Sequence, residues 1–135
     1  MTVSKGEVDL LTTTETSDAD LSAVANKRKL VKHSATGVAL CSVLNERVYG
    51  VLTNLPGLGK SAQVQIAGIA KCQAGAAIAK GDFVKTDATG RVITQTAEAA
   101  GTQVFVLGQA LEAAGAAGDM IAVHIRPLVI NLAVS

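Results

Sequence analysis

The sequence predicts an all-β protein, a small barrel or sandwich of about seven or eight short strands with an extended N-terminal arm. Three observations carry this. Two turn signals of matching chemistry sit between strand-like runs, one long segment alternates with a period of two, and a Gly-Asp pair twice closes a small-residue loop ahead of an apolar run.

The first turn signal is Ser34-Ala35-Thr36-Gly37, between residues 28–33 and 38–43; the second is Asp87-Ala88-Thr89-Gly90, between residues 83–86 and 91–94. Ser or Asp at the first position bonds the turn backbone, and Gly at the fourth supplies the positive φ with which the chain leaves a type I turn. Each therefore closes a β-hairpin. Further strands are expected over residues 47–53, 62–72, 103–111 and 119–126. Within residues 62–72, Val64, Ile66, Ala70 and Cys72 fall on one face, while Gln63, Gln65 and Lys71 fall on the other. Val104-Phe105-Val106-Leu107 is apolar in both phases, as in a strand covered on both faces inside a sandwich or at a subunit interface. Residues 112–119 are Ala-rich, but Gly115 and Gly118 make them a loop rather than a helix. There Gly118-Asp119 echoes Gly81-Asp82, each launching a strand.

Three parts follow along the chain: an arm over residues 1–27, a barrel or sandwich over 28–127, and a tail over 128–135. The arm is polar and Thr-rich, with one short helical turn expected near residues 18–25 behind Ser17 as cap. Residues 7–20 carry five acids (Glu7, Asp9, Glu15, Asp18, Asp20) and no base, whereas residues 27–32 carry four bases (Lys27, Arg28, Lys29, Lys32). Such a segment is a solvated arm, or one that orders on a partner. The tail contains Leu128-Val129-Ile130, too apolar to stay in water, and must pack on its own subunit or a neighbour.

Composition bounds the function. Hydrophobic residues make up 49% of 135, yet there are only two Phe, one Tyr and no Trp, so Ala and Gly fill much of the core. A core so thin gives little stability alone, and a homo-oligomer is expected. A formal net charge of +1 gives no reason to invoke nucleic acid or an anionic membrane as partner. The first residues lack the apolar run of a secretory signal, and no stretch reaches the length of a membrane span. Cys41 and Cys72 lie in apolar segments without His or Cys at ligand spacing, so buried free thiols are expected, with no metal and no cofactor.

The segment Asn54-Leu55-Pro56-Gly57-Leu58-Gly59-Lys60-Ser61 ends like a phosphate-binding loop. Asn54 occupies a position that requires Gly, and an alternating strand follows where a helix must hold the phosphates. A plain turn is expected, with nucleotide binding the alternative. His33 and His124 have no nucleophile at a recognisable spacing, and Asp82, Asp87 and Asp119 look committed to turns. No enzyme is indicated.

Five segments carry a family resemblance: residues 48–52 (Val48-Tyr49-Gly50-Val51-Leu52), 67–71, 74–92, 106–114 and 118–123. In this order the chain resembles the capsid decoration, or cement, proteins of tailed bacteriophages. The resemblance implies a β-barrel or sandwich that assembles, usually as a trimer, on the outside of a phage head and clamps neighbouring major-capsid subunits, with no catalytic site. The protein would be made in the bacterial cytoplasm and reside on the virion's outer surface. Leu10, Leu11, Lys27, Arg28 and Lys29 are the candidate capsid contacts. The alternative in the same class is a fibre base or tail accessory protein.

Overall fold

The computed structural model describes residues 8–96 and 103–131, and these are all-β apart from one 3-10 turn. The strands are β1 (Val8–Thr16), β2 (Leu30–His33), β3 (Val38–Leu40), β4 (Gly50–Leu52), β5 (Ser61–Gln73), β6 (Phe83–Thr86), β7 (Val92–Thr94), β8 (Gln103–Ala110) and β9 (Met120–Asn131). All strand pairings are antiparallel, in the order β3-β2-β4-β5-β9-β8-β6-β7, with β1 added on β5. The sheet curls until its ends meet: the Leu30 N–H donates to the Gly90 carbonyl (2.7 Å) and the Asn45 N–H to Thr86 (3.4 Å).

Both expected hairpins form, for partly different reasons. In the β6–β7 turn, Asp87 Oδ1 accepts from the Thr89 N–H (2.8 Å) and the Arg91 N–H (3.0 Å), and Gly90 has φ 80. In the β2–β3 turn, Gly37 is not at positive φ. A Cβ there would lie 1.8 Å from the Thr16 carbonyl oxygen, so glycine is needed for a close approach of two backbones. The Asp18 carboxylate ties that turn down, accepting from the hydroxyls of Ser34 and Thr36 and from the Thr36 N–H (3.2 Å). Those bonds, Ser34 first and then Thr36, hold the Asp18 carboxyl below the ordinary range.

The Gly-Asp echo is structural. Gly81 (φ 93) and Gly118 (φ 94) turn the chain, and each following Asp accepts from the N–H three residues back, Ala79 (3.1 Å) and Ala116 (3.2 Å). The loops also bond each other: the Ile78 N–H donates to the Ala114 carbonyl (3.0 Å), and Ala114 returns the bond (2.9 Å).

The acidic segment is extended, and it is also paired. β1 lies along β5 from Val8↔Ile69 to Thr16↔Ser61. The cause is the long strand β5: Val64, Gln65, Gly68 and Ile69 each pair with β1 and also with β4 or β9, so β4 and β9 share one edge of β5 and β1 takes the other. Without β1 that second edge of β5 would be bare over residues 61–69. The Tyr49 hydroxyl also holds β1, donating to Glu15 (3.3 Å) and sharing a hydrogen bond with Thr13 (2.9 Å). The expected helical turn shrinks to Val24–Asn26, and Ser17 does not cap it; the Ser17 hydroxyl donates to the Ala19 carbonyl (2.6 Å) instead.

The core has two parts. Inside the curl lie Leu30, Val51, Cys72, Val84, Leu107 and Ile121. On the outer side of β2 and β4, Val31, Leu52 and Val64 pack with Leu21, so the arm supplies a core residue. Alternate residues of β2 and β4 thus enter different clusters, which is why both strands are apolar in both phases. The alternation expected for β5 fails at Gln65, which is buried. Bulges against β1 shift the register at Ile66, and the Gln65 amide nitrogen donates to the carbonyls of Ala67 (3.1 Å) and Ile69 (3.2 Å). At the other end, β9 runs through the boundary expected at residue 127. Arg126 and Pro127 together oppose Leu107, a bulge that places the missing proline N–H where no ladder needs it. Residues 1–7 and 132–135 of the expected arm and tail lie outside the described residues.

Candidate functional site

The phosphate-loop look-alike is a clamped turn. The Asn54 amide donates to the Ser61 carbonyl (2.9 Å) and accepts from the Gln63 N–H (2.8 Å). Gly59 has φ 74, and β5 starts at Ser61 with no helix to present amides to an anion. Asn54 therefore does a structural job at the position where a phosphate loop keeps Gly.

The titratable residues are occupied locally. His33 is exposed and lies against Tyr49, with ring centroids 4.0 Å apart. His124 is half-buried in β9, opposite Ile69 and Gln109. Cys41 and Cys72 are free and buried, and burial, reinforced by the Glu46 charge, pushes the Cys41 thiol up to about 12. Burial would also raise Glu46, but hydrogen bonds from Lys32 (2.9 Å) and from the Ser42 and Val43 N–H groups outweigh it and hold that carboxyl below its usual range. Among the described residues no group of three or more His, Cys, Asp or Glu could hold a metal. No helix among them is long and apolar enough to cross a membrane.

Of the expected contact residues, Leu10 (70% exposed) and Leu11 (49%) stand on β1 at its bulge. Lys27, Arg28 and Lys29 follow the 3-10 turn, with their backbone fixed: the carbonyls of Lys27, Arg28 and Lys29 accept from the Gln73 amide (3.0 Å), the Gln73 N–H (3.1 Å) and the Leu52 N–H (2.9 Å). Arg28 is at φ 60, a conformation that only such bolting sustains in a non-glycine residue. The two groups are not brought together. Leu11 is level with Ala67 and Arg28 with Gln73, which at about 3.3 Å per residue puts them roughly 20 Å apart along β5. Lys27 and Arg28 rim two shallow grooves, beside Met120 and Lys71 on one side and Val24 and Leu55 on the other.

A third surface was not foreseen. Both phenylalanines of the chain lie outside the two core clusters. Phe83 is 50% exposed and rims a groove of about 440 Å³ with Arg126, Pro127 and Leu128. Phe105 lies under the Arg47 guanidinium (4.8 Å) beside the same Pro127 and Leu128. Aromatics and Arg around exposed aliphatics are the composition of an interface centre. The signal in the sequence was an aromatic within a strand apolar in both phases, next to a proline that cannot sit in a central ladder.

The chain is thus a curled all-β sheet with bolted loops, with Phe83 half exposed and Phe105 outside both core clusters. The phage cement protein family model matches residues 4–125, and the chain belongs to that family. It is thus a structural protein of the phage virion. No curated protein matches it. Among solved structures, the N base of the head fiber gp8.5 of bacteriophage phi29 shares the fold, with a TM-score of 0.60 at 18% identity over 86% of this chain and 93% of that one.

Proposed function

We propose that the protein is a head decoration protein that binds the outer capsid surface as a homotrimer and clamps neighbouring major-capsid subunits, without catalysis. The observation that carries this is the cement-family match across residues 4–125, on a barrel that exposes three adhesive surfaces. The basic stretch Lys27, Arg28 and Lys29 is the capsid-facing contact. Its backbone is fixed on β4 and β5, so little order is lost when it docks. Each docked copy opposes separation of the subunits beneath it, and trimerisation adds avidity because one docked subunit holds the others close to their sites. The test is electron microscopy of particles with and without the protein. Density at sites between major-capsid subunits supports the proposal, and density confined to the tail contradicts it.

A second reading is favoured by the likeness to the phi29 head fiber base: the barrel would be the mount of a fibre on the head. In that case the same images show a projection rising from each barrel.

A further inference from the structure

Two strand edges of this barrel have no strand partner among the described residues. β1 is paired along one edge only, to β5. β9 beyond Ile125 is paired only to β8, and β8 before Val106 only to β9, so each has one edge there with no strand on it among the described residues. A bare edge recruits a further strand. The two edges differ in chemistry. The β9 side carries Arg126, Pro127 and Leu128 beside Phe83 and Phe105, with Arg47 over the latter and no acid in its grooves among the described residues. The β1 side carries Leu10, the most exposed leucine among the described residues, and two acids within the strand, Asp9 and Glu15, with no base.

We propose that these edges are the two halves of one contact between copies of this chain. Building on the homo-oligomer proposed above, the acidic β1 edge of one subunit is laid on the arginine-bearing β9 edge of the next, with Leu10 and Leu11 against Phe83 and Leu128. The occupant is a second copy because the halves match in charge, in apolar side chains and in unpaired backbone, which one extended strand satisfies together. The contact is heterologous, so each subunit gives one half and receives the other, and repetition closes a ring. Leu10 and Leu11 then serve the neighbouring subunit, and the capsid contact falls to Lys27, Arg28 and Lys29.

The test is the mass of the full-length chain in solution, wild type and with Leu10→Asp or Leu128→Asp. Both leucines are exposed, so neither change removes a core residue, and circular dichroism checks the fold. Wild type should run as a multiple of 13.7 kDa and each variant at 13.7 kDa. An equal mixture of the variants should regain a species of twice the subunit mass, because Leu10→Asp keeps the β9 half and Leu128→Asp keeps the β1 half. Arg126→Glu, also exposed, should weaken association about tenfold or more. A variant of either leucine that keeps the wild-type mass, a mixture that stays monomeric, or indifference to Arg126→Glu overturns the contact while leaving an oligomer intact. A monomeric wild type defeats the homo-oligomer itself.

Discussion

Replacing Gly37 with Ala sets a methyl group into the place where the arm meets the β2–β3 turn. The new Cβ would stand 1.8 Å from the Thr16 carbonyl oxygen, 2.7 Å from its carbon and 3.2 Å from the Thr16 Cα. These are backbone atoms, so no side-chain rotation relieves the clash. Either the turn or the end of β1 must move, which strains the Asp18 bonds to Ser34 and Thr36. Overpacking of this kind costs about 2–3 kcal/mol. For a chain of 135 residues the unfolding entropy is roughly 0.28 kcal/mol per kelvin, so the melting temperature should fall by about 7–11 °C. Gly59→Ala is the internal control: nothing lies within 4 Å of its Cβ, and only the positive φ (+74) opposes the change. It should cost about 1 kcal/mol, a fall of roughly 3–4 °C. Thermal unfolding followed by circular dichroism measures both. Should Gly37→Ala fall no further than Gly59→Ala, the arm is not docked on the turn and the close approach is not what glycine serves there.

Other outcomes follow from the same contacts. Leu21→Ala should destabilise by about 2–5 kcal/mol in denaturant titration, as a core position does, although it lies in the expected arm; a change under about 0.5 kcal/mol would place Leu21 in solvent. Asp18 has a depressed carboxyl, so its contribution is present above the ordinary value of 3.8 and is lost as pH falls through its lowered value. Asp18→Asn should therefore lower the melting temperature at pH 7, and the gap to wild type should close in strong acid; a gap constant with pH contradicts the assignment. Cys41, with its thiol pushed up to about 12, should resist a thiol-reactive dye at pH 8 until the protein unfolds, and rapid labelling of the native protein would refute its burial. Nucleotides should leave the melting temperature unchanged in both wild type and Lys60→Ala, since Asn54 clamps the turn; a shift lost in Lys60→Ala would restore the nucleotide alternative.

Features set by neighbouring residues were legible in the sequence. The Asp87 turn, the Gly-Asp loops and the non-helical Ala-rich stretch each depend on side chains bonding backbone within about four residues. Features set by distant partners were not. β1 lacks apolar alternation, and only its run of β-branched threonines hinted at a strand; it is a strand because β4 and β9 share one edge of β5 and leave the other to it. Gln65 reads as a surface residue until the bulges against β1 turn it inward, and Gly37 reads as a φ requirement until Thr16 is brought against it. Among the candidate contacts, Leu10 and Leu11 were visible as apolar residues in a polar segment, and the basic stretch as a charge run. Their separation along β5 and the placement of both phenylalanines outside the core clusters depend on the register of the whole sheet.

The role on the capsid is tested most directly by sedimenting phage heads that lack this protein after adding it back. It should pellet with the heads at a fixed ratio to the major capsid protein, and Lys27→Glu combined with Lys29→Glu should leave most of it in the supernatant. Wild-type protein that stays in the supernatant at saturating concentration would contradict its assignment as a capsid-binding protein.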